Sequence, residues 1–324
     1  MRLAKTDRNF TRTLLLVVLV AVSNYRLRFS TKSMKTAVII PSTRRAQILH
    51  ETVASLVRQS QRPDQLIISV ADRDDIVDAT VSLYDGLSVV FGPRGSAGQR
   101  NRGIGLLRPD IEIVLFMDDD TELRDDYVET MHRAFTTIPD LVLMSGRELA
   151  NGADRDYARL LLVSDAHAYH PAEWQMSSGD IYEDVWGTNM AVRRNVLDRV
   201  IFDERLPLYA WLEDFDFALQ CAAYGRIARI ENCRIVHLNT QLGRVSQVRL
   251  GFAQTINPVY IWRKGYPEFP AHKMLELVGR TVLANFLKLP LDPANRLHRL
   301  KGSLIALAMI ARGDLRPERM VELP

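Results

Sequence analysis

The segment IEIVLFMDDDTE, residues 111–122, decides the reading of this chain. Its apolar run from Ile111 to Met117 is short enough for one buried strand, and it ends abruptly in Asp118, Asp119 and Asp120. Near-continuous apolar runs of this kind, interrupted here only by Glu112, mark strands covered on both faces, as in parallel sheets. In open α/β sheets ligands bind just outside the carboxyl ends of the strands, where these aspartates fall. Three adjacent carboxylates repel one another, and a fold tolerates them when a cation or hydrogen-bond donors neutralise the charge. A hard divalent ion, Mn2+ or Mg2+, is the expected partner. Helix capping by Asp120 or Thr121 would account for one acid, not three. A DxDx[TV] phosphoryl-transfer nucleophile does not fit, because Glu122 stands at the fifth position.

Outward from that point, short apolar runs alternate with longer amphipathic ones, the pattern of βαβ units. Strands are expected at Thr36 to Ile40, stopped by Pro41, then at Gln65 to Val70, Ser82 to Phe91, Leu141 to Ser145, Trp186 to Val192, Arg226 to Ile230 and Arg234 to Val236. Ile48, Leu49, Val53, Leu56 and Val57 recur at helical spacing, the loop GPRGSAGQRNRG from Gly92 turns into a helix reaching Leu107, and further helices are expected at Asp125 to Phe135 and Leu212 to Tyr224. The fold class is therefore α/β, a mostly parallel central sheet flanked by helices, with a helical C-terminal extension.

The 324 residues, 47% hydrophobic and 25% charged, form an ordinary globular composition. Cys221 and Cys233 are too few for a disulfide framework and suit a reducing, cytoplasmic setting. The formal charge of +3 is unevenly spread, because residues 1–33 hold seven Lys and Arg against one acid. The remainder carries 35 basic and 38 acidic residues, a net of −3, which disfavours nucleic acid as a partner. Within the leader, Leu14 to Val22 is a nine-residue apolar run, short of the roughly 20 that a spanning helix needs. Ser23, Asn24 and Tyr25 make a poor secretory cleavage site. A dispensable segment, or one lying on a membrane surface, is expected for residues 1–33, with the main domain over 34–264 and the extension over 265–324.

Two loops carry further chemistry. GSAGQR, residues 95–100, matches neither the dinucleotide GxGxxG nor the GxxxxGK[ST] loop, which argues against hydride transfer. With Arg94, Arg100 and Arg102 close by, it could meet an anion at a helix N-terminus or be a plain turn. In YAWLEDFDFALQ, Glu213 and Asp214 open a helix beside Tyr209, Trp211 and Phe215. Acids at that position are favoured by the helix dipole, and a carboxylate beside aromatic walls can also take a proton from an attacking hydroxyl.

Taken together, VIIPSTRR (38–45), SLVRQSQRPDQLIISVAD (55–72), GSAGQRNRGI (95–104), LFMDDDTEL (115–123), GTNMAVRR (187–194) and LEDFDFALQ (212–220) resemble, in order, the motifs of family 2 glycosyltransferases with the GT-A fold. The resemblance extends over about Lys35 to Lys264. It implies a metal-dependent, inverting transfer of a sugar from a nucleoside-diphosphate donor to a glycan or lipid-linked acceptor. By the same resemblance Asp118 and Asp120 hold the metal with His237, which could equally be a surface histidine, and Asp119 lies near the donor ribose. Pro41, Ser42, Arg44 and Asp72 resemble the base pocket, and Gly95 and Arg100 the donor loop. Trp186, Gly187, Thr188, Asn189 and Trp211 resemble the acceptor wall, while Asp214, with Glu213, resembles the catalytic base. Gln247 is followed by VRLG rather than the xxRW of processive relatives, so one sugar per encounter is expected. Similar proteins often build bacterial surface polysaccharides at the inner face of the plasma membrane. A non-catalytic, nucleotide-sugar-binding subunit of the same fold is the rival reading, and the intact Asp118, Asp120 and Asp214 argue against it.

Beyond Lys264, Met274, Leu277, Val278, Leu283, Phe286 and Leu287 form one helical stripe and residues 304–310 another, with Lys288, Arg296, Arg299 and Lys301 between. Packing against the sheet is expected of these stripes, contact with a lipid surface being the alternative.

Overall fold

The structure is a computed structural model and describes residues 34–165, 176–177, 180–209, 211–240 and 245–324; the leader, residues 1–33, lies outside these. In chain order the elements are β1 (Thr36–Ser42), α1 (Ala46–Val57), β2 (Gln65–Val70), α2 (Asp78–Val81), β3 (Leu87–Phe91), α3 (Ser96–Ile104), β4 (Ile113–Met117) and β5 (Thr121–Leu123). They continue with α4 (Tyr127–Thr137), β6 (Leu141–Asn151), α5 (Arg155–Asp165), β7 (Met176–Ser177), α6 (Ile181–Asp184), β8 (Asn189–Arg193), α7 (Glu213–Cys221) and β9 (Arg226–His237). The C-terminal helices are α8 (Gln247–Trp262), α9 (Ala271–Leu287) and α10 (Pro293–Ala311).

The sheet runs β3-β2-β1-β4-β8-β6-β9-β5, with β7 beside β9. Its first four strands are mutually parallel. The Ala, Val, Ile, Leu, Phe and Met side chains of β1, β2 and β4 are fully buried, as their largely apolar sequences require. β8 runs antiparallel to both β4 and β6, and β6 pairs parallel with β9, so β4, β6 and β9 end on one edge. His237, the last residue of β9, thereby reaches the same edge as Asp118 and faces Thr121 of β5.

Several boundaries differ from the sequence reading. Pro41 does not stop β1, which continues to Ser42 with Pro41 opposite Ser69; a proline near a strand end forfeits only one donor. Ser82 to Asp85 is not strand, and β3 begins at Leu87, after Gly86 turns the chain through φ +83°. The segments 226–230 and 234–236 are one strand, because the register with β6 jumps from Gly146↔Ile230 to Arg147↔Arg234. An irregularity of this kind inserts residues without ending a strand. Thr121 starts β5 and Asp120 caps no helix, so the alternative of helix capping by either residue does not apply.

Helix α3 lies on β1, where a Cβ on Gly103 would come 2.5 Å from Ile39 Cγ2. Helix α8, which the sequence reading did not foresee, is buried nearly all round and carries Pro258 in its interior. Its Gly251 faces Gly302 of α10 so closely that a Cβ on either would lie 2.0 Å from backbone of the other helix. The stripe on α9 packs on helices rather than on the sheet: Met274 and Leu277 join Phe215, Leu219 and Ile261. Leu283, Phe286 and Leu287 remain exposed.

On α4, the buried His132 imidazole contacts the Thr36 hydroxyl, and burial pulls its pKa down to about 4. The unfolded chain takes up a proton between about pH 6.5 and 4 that the folded chain refuses, so stability present above pH 6.5 is lost as pH falls through that window. The expected loss is about 3 kcal/mol. Urea midpoints at pH 7 and pH 4.5 should differ more in the native chain than in His132→Gln.

Candidate active site

Ionic contacts at the carboxyl edge are closed largely by two arginines. Arg100 of α3 is 2% exposed. Its guanidinium donates to Asp118 Oδ1 at 3.0 Å, to Glu213 Oε1 at 3.0 Å and to the Gly187 carbonyl at 3.1 Å. Arg45, at the entry to α1, lies 2.8 Å from Asp119 Oδ1 and 3.3 Å from Asp120 Oδ2. Ser42 donates its hydroxyl to the other Asp119 oxygen at 2.5 Å.

The three aspartates therefore differ in environment. Asp120 accepts from the Thr240 amide at 2.9 Å and its hydroxyl at 3.1 Å, and lies 3.1 Å from His237 Nε2. Burial would raise its pKa, but the bond to and charge of His237, with Arg45 and the Thr240 amide, hold it down to about 2. Asp119 is pushed up to about 7, burial outweighing Arg45 and Ser42. Burial also raises Asp118, against the charge of Arg100. Burial lowers the His237 pKa and the Asp120 bond raises it, with a net rise. Ligand atoms of Asp118, Asp120 and His237 all lie within 4.8 Å of one another. Two carboxylates and an imidazole at that spacing fit a divalent cation such as Mn2+.

The Glu213-Asp214 pair begins α7 after Leu212, whose backbone is left-handed at φ 77°. Glu213 is buried, accepts from Ser96 Oγ at 2.7 Å and from Arg100, and its pKa is raised by burial and then by Asp214. Asp214 is partly exposed, and its Oδ2 accepts the Gly187 amide at 2.7 Å. Gly187 thus touches Arg100 through its carbonyl and Asp214 through its amide. A Cβ there would lie 3.0 Å from the guanidinium and 3.1 Å from the Asp214 carboxylate. One turn further, the fully buried Asp216 is held by Lys264 Nζ at 2.7 Å, which also reaches Asp203 at 2.7 Å. This anchors α7 to the end of α8.

Of the residues singled out from sequence, Ser42, Arg100, Asp118, Asp119, Asp120, Gly187, Glu213, Asp214 and His237 form one connected set. Gly95, at φ +142°, starts α3 beside Leu208. Pro41 lies within β1 and Thr188 bonds Asp118 and Thr121 through its carbonyl. Other candidates lie apart from the acids. The Arg44 side chain is exposed while its amide bonds Asp75, and Asp72 is exposed and pairs with Arg94. Asn189 is buried in the sheet, accepting from Tyr127, and Trp211 packs beside α8 with its carbonyl held by Asn257. Trp186 is half exposed at the rim. The sequence reading missed Arg45, Thr240, Ser96 and Gln99, whose amide donates to the Ser42 and Ser69 carbonyls. Nothing local separates Arg45 from Arg44; only the left-handed turn at Arg44, φ 58°, aims its neighbour at the acids.

A mixed α/β sheet whose carboxyl edge gathers these acids defines the GT-A class of glycosyltransferases. Residues 37–201, half of the chain, match the family model for glycosyl transferase family 2, and the chain belongs to that family. No curated protein matches it closely. Among solved structures, the mannosyltransferase PcManGT from Pyrobaculum calidifontis, in complex with GDP-Man and Mn2+, is 16% identical with a TM-score of 0.50, covering 88% of each chain. A mycobacterial protein is also 16% identical, with a TM-score of 0.45, covering 72% of this chain and 76% of that one.

Gly187→Ala should displace Arg100 and Asp214 by a few tenths of an ångström and slow sugar transfer on the order of tenfold, because misplacement of reacting groups is costly. Steady-state rates beside a thermal melt would check this, with the melting temperature little changed.

Proposed function

We propose that this chain is a metal-dependent inverting glycosyltransferase that moves one hexosyl unit per encounter from a nucleoside-diphosphate sugar to a hydroxyl of a glycan or lipid-linked acceptor. The observation that carries the reading is the unbroken contact path from the Asp118–Asp120–His237 trio through Arg100 and Gly187 to Asp214. It links a candidate cation site to a partly exposed carboxylate by direct contacts. The GDP-Man and Mn2+ bound by PcManGT support a nucleotide-sugar donor with Mn2+ or Mg2+.

Asp118, Asp120 and His237 would hold the ion, whose chemistry is to neutralise charge gathering on the departing diphosphate. Ser42 and Asp119 line the donor side beside Pro41 and the end of β1, with Arg44, Asp72 and Gly95 on the loops around the base. Arg100 keeps Asp118 and Glu213 in place and adds a fixed positive charge in a buried setting, where preorganised charges act most strongly. Asp214 accepts the proton of the acceptor hydroxyl as that oxygen attacks the anomeric carbon from the face opposite the diphosphate. The bond to the diphosphate breaks as the new glycosidic bond forms, so the anomer inverts. Glu213, tied to Ser96 and Arg100, serves as a support for Asp214 rather than as a second base. Trp186 to Asn189 and Trp211 contribute the acceptor wall through Trp186 and the Gly187 backbone, with Asn189 and Trp211 acting from behind.

The free, buried thiols of Cys221 and Cys233 suit work in the cytoplasm, at the inner face of the plasma membrane, on a surface or exported polysaccharide. The domain organisation that fits is a leader over residues 1–33, a catalytic domain over 34–264 and the helical extension over 265–324.

Asp214→Asn should lower transfer by about 10² to 10⁴ while leaving donor affinity nearly intact; unchanged turnover would remove Asp214 from the base role. Calorimetric titration of Mn2+ in the presence of GDP or UDP should show binding that weakens at least about tenfold in Asp120→Asn. Absence of uptake by the native chain would overturn the metal-dependent reading.

A further inference from the structure

The C-terminal hairpin of α9 and α10 presents an apolar ridge that nothing among the described residues covers. Leu275, Leu283, Phe286 and Leu287 recur on one side of α9, away from the buried Met274 and Leu277. The turn after α9 carries Leu291, which at 85% is the most exposed of the large apolar side chains among the described residues. Leu297, Leu304 and Leu307 extend the exposed series along α10. Scattered apolar residues on a surface need no explanation, but a series following helical periodicity over two joined helices does.

Charge identifies the occupant. Residues 271–312 hold seven Lys and Arg against Glu276 and Asp292, a net of +5, whereas residues 34–324 as a whole carry −3. Arg280, Lys288, Lys301 and Arg312 are exposed around the apolar series. A second copy of this chain would bring the same positive charge against the ridge. So would the chain's own first 33 residues, with seven basic residues to one acid. An anionic lipid surface meets both features, taking apolar side chains at the acyl boundary and basic ones among its headgroups. No helix among the described residues is long and apolar enough to cross a membrane, so such contact lies in the interface plane.

We infer that the α9–α10 hairpin docks on an anionic bilayer through the ridge centred on Phe286, Leu287 and Leu291. Docking there uses no residue of the acidic edge, so it and sugar transfer succeed or fail separately.

Flotation of the full chain with vesicles of equal parts phosphatidylcholine and phosphatidylglycerol at low salt tests it. The native chain should float, less so at high salt or with phosphatidylcholine alone. The F286E/L287E/L291E variant should lose at least about tenfold in partitioning, since three apolar anchors are replaced by charges that the surface repels. Its thermal melt should match the native one, because all three side chains are exposed. Equal flotation of both proteins would overturn the proposal and assign binding to another segment. A native chain that stays in the soluble fraction would also overturn it, and light scattering showing a dimer that the variant dissolves would give the ridge to a second copy.

Discussion

Compensation of buried negative charge at one edge of the sheet is the constraint on which this molecule depends. Asp119, Asp120 and Glu213 are buried and Asp118 largely so, yet they converge from β4, the turn after it and α7. Without counter-charge the cluster would be unstable, because an uncompensated buried ion costs several kcal/mol. Arg45 enters it from the loop after β1 and Arg100 from helix α3, so these βα units and the acids hold one another in place. Glu122 repeats the device one step behind, where Arg58, Arg155 and Arg159 converge on a carboxylate that is 1% exposed. That second cluster ties β5 to α1 and α5 and fixes the turn bearing the aspartates.

The backbone is strained where those loops must aim their side chains. Arg44, Leu208, Leu212 and Asn239 have left-handed backbones, and each neighbours a site contact: Arg45, the Leu208 carbonyl that receives the Ser96 amide, Glu213, and Thr240. Non-glycine residues in that conformation cost of order 1–3 kcal/mol each and persist only where surrounding structure over-determines them. Here the determinants are the buried Gln99, which pins α3 to the ends of β1 and β2, and Asp216, which pins α7 to Lys264. The result is a rigid edge prepared before any ligand arrives.

The C-terminal helices are built largely on one another. Helices α8, α9 and α10 pack mainly on one another and on α7, with glycines at the α8–α10 crossing allowing backbone contact. Acid is concentrated toward the sheet and base toward the C-terminal hairpin, which separates the surface suited to a cation from the one suited to anionic lipid.

The sequence alone determined the parallel core and the main acidic site. Apolar runs such as Gln65 to Val70 cannot be stable except buried on both faces, and three aspartates after such a run have few physical uses. It also marked Glu213, Asp214 and Arg100, because charge at predicted helix starts is local information, whereas His237 came only from the resemblance to family 2 glycosyltransferases. Tertiary structure decided what depends on partners remote in sequence. Arg45 rather than Arg44 meets the acids, Asn189 turns into the sheet, Gly187 bridges Arg100 and Asp214, and β9 runs on through its irregularity because β6 lies beside it. The apolar stripes of the C-terminal helices read alike in sequence whether covered or bare, since periodicity fixes which residues share a face but not what that face meets.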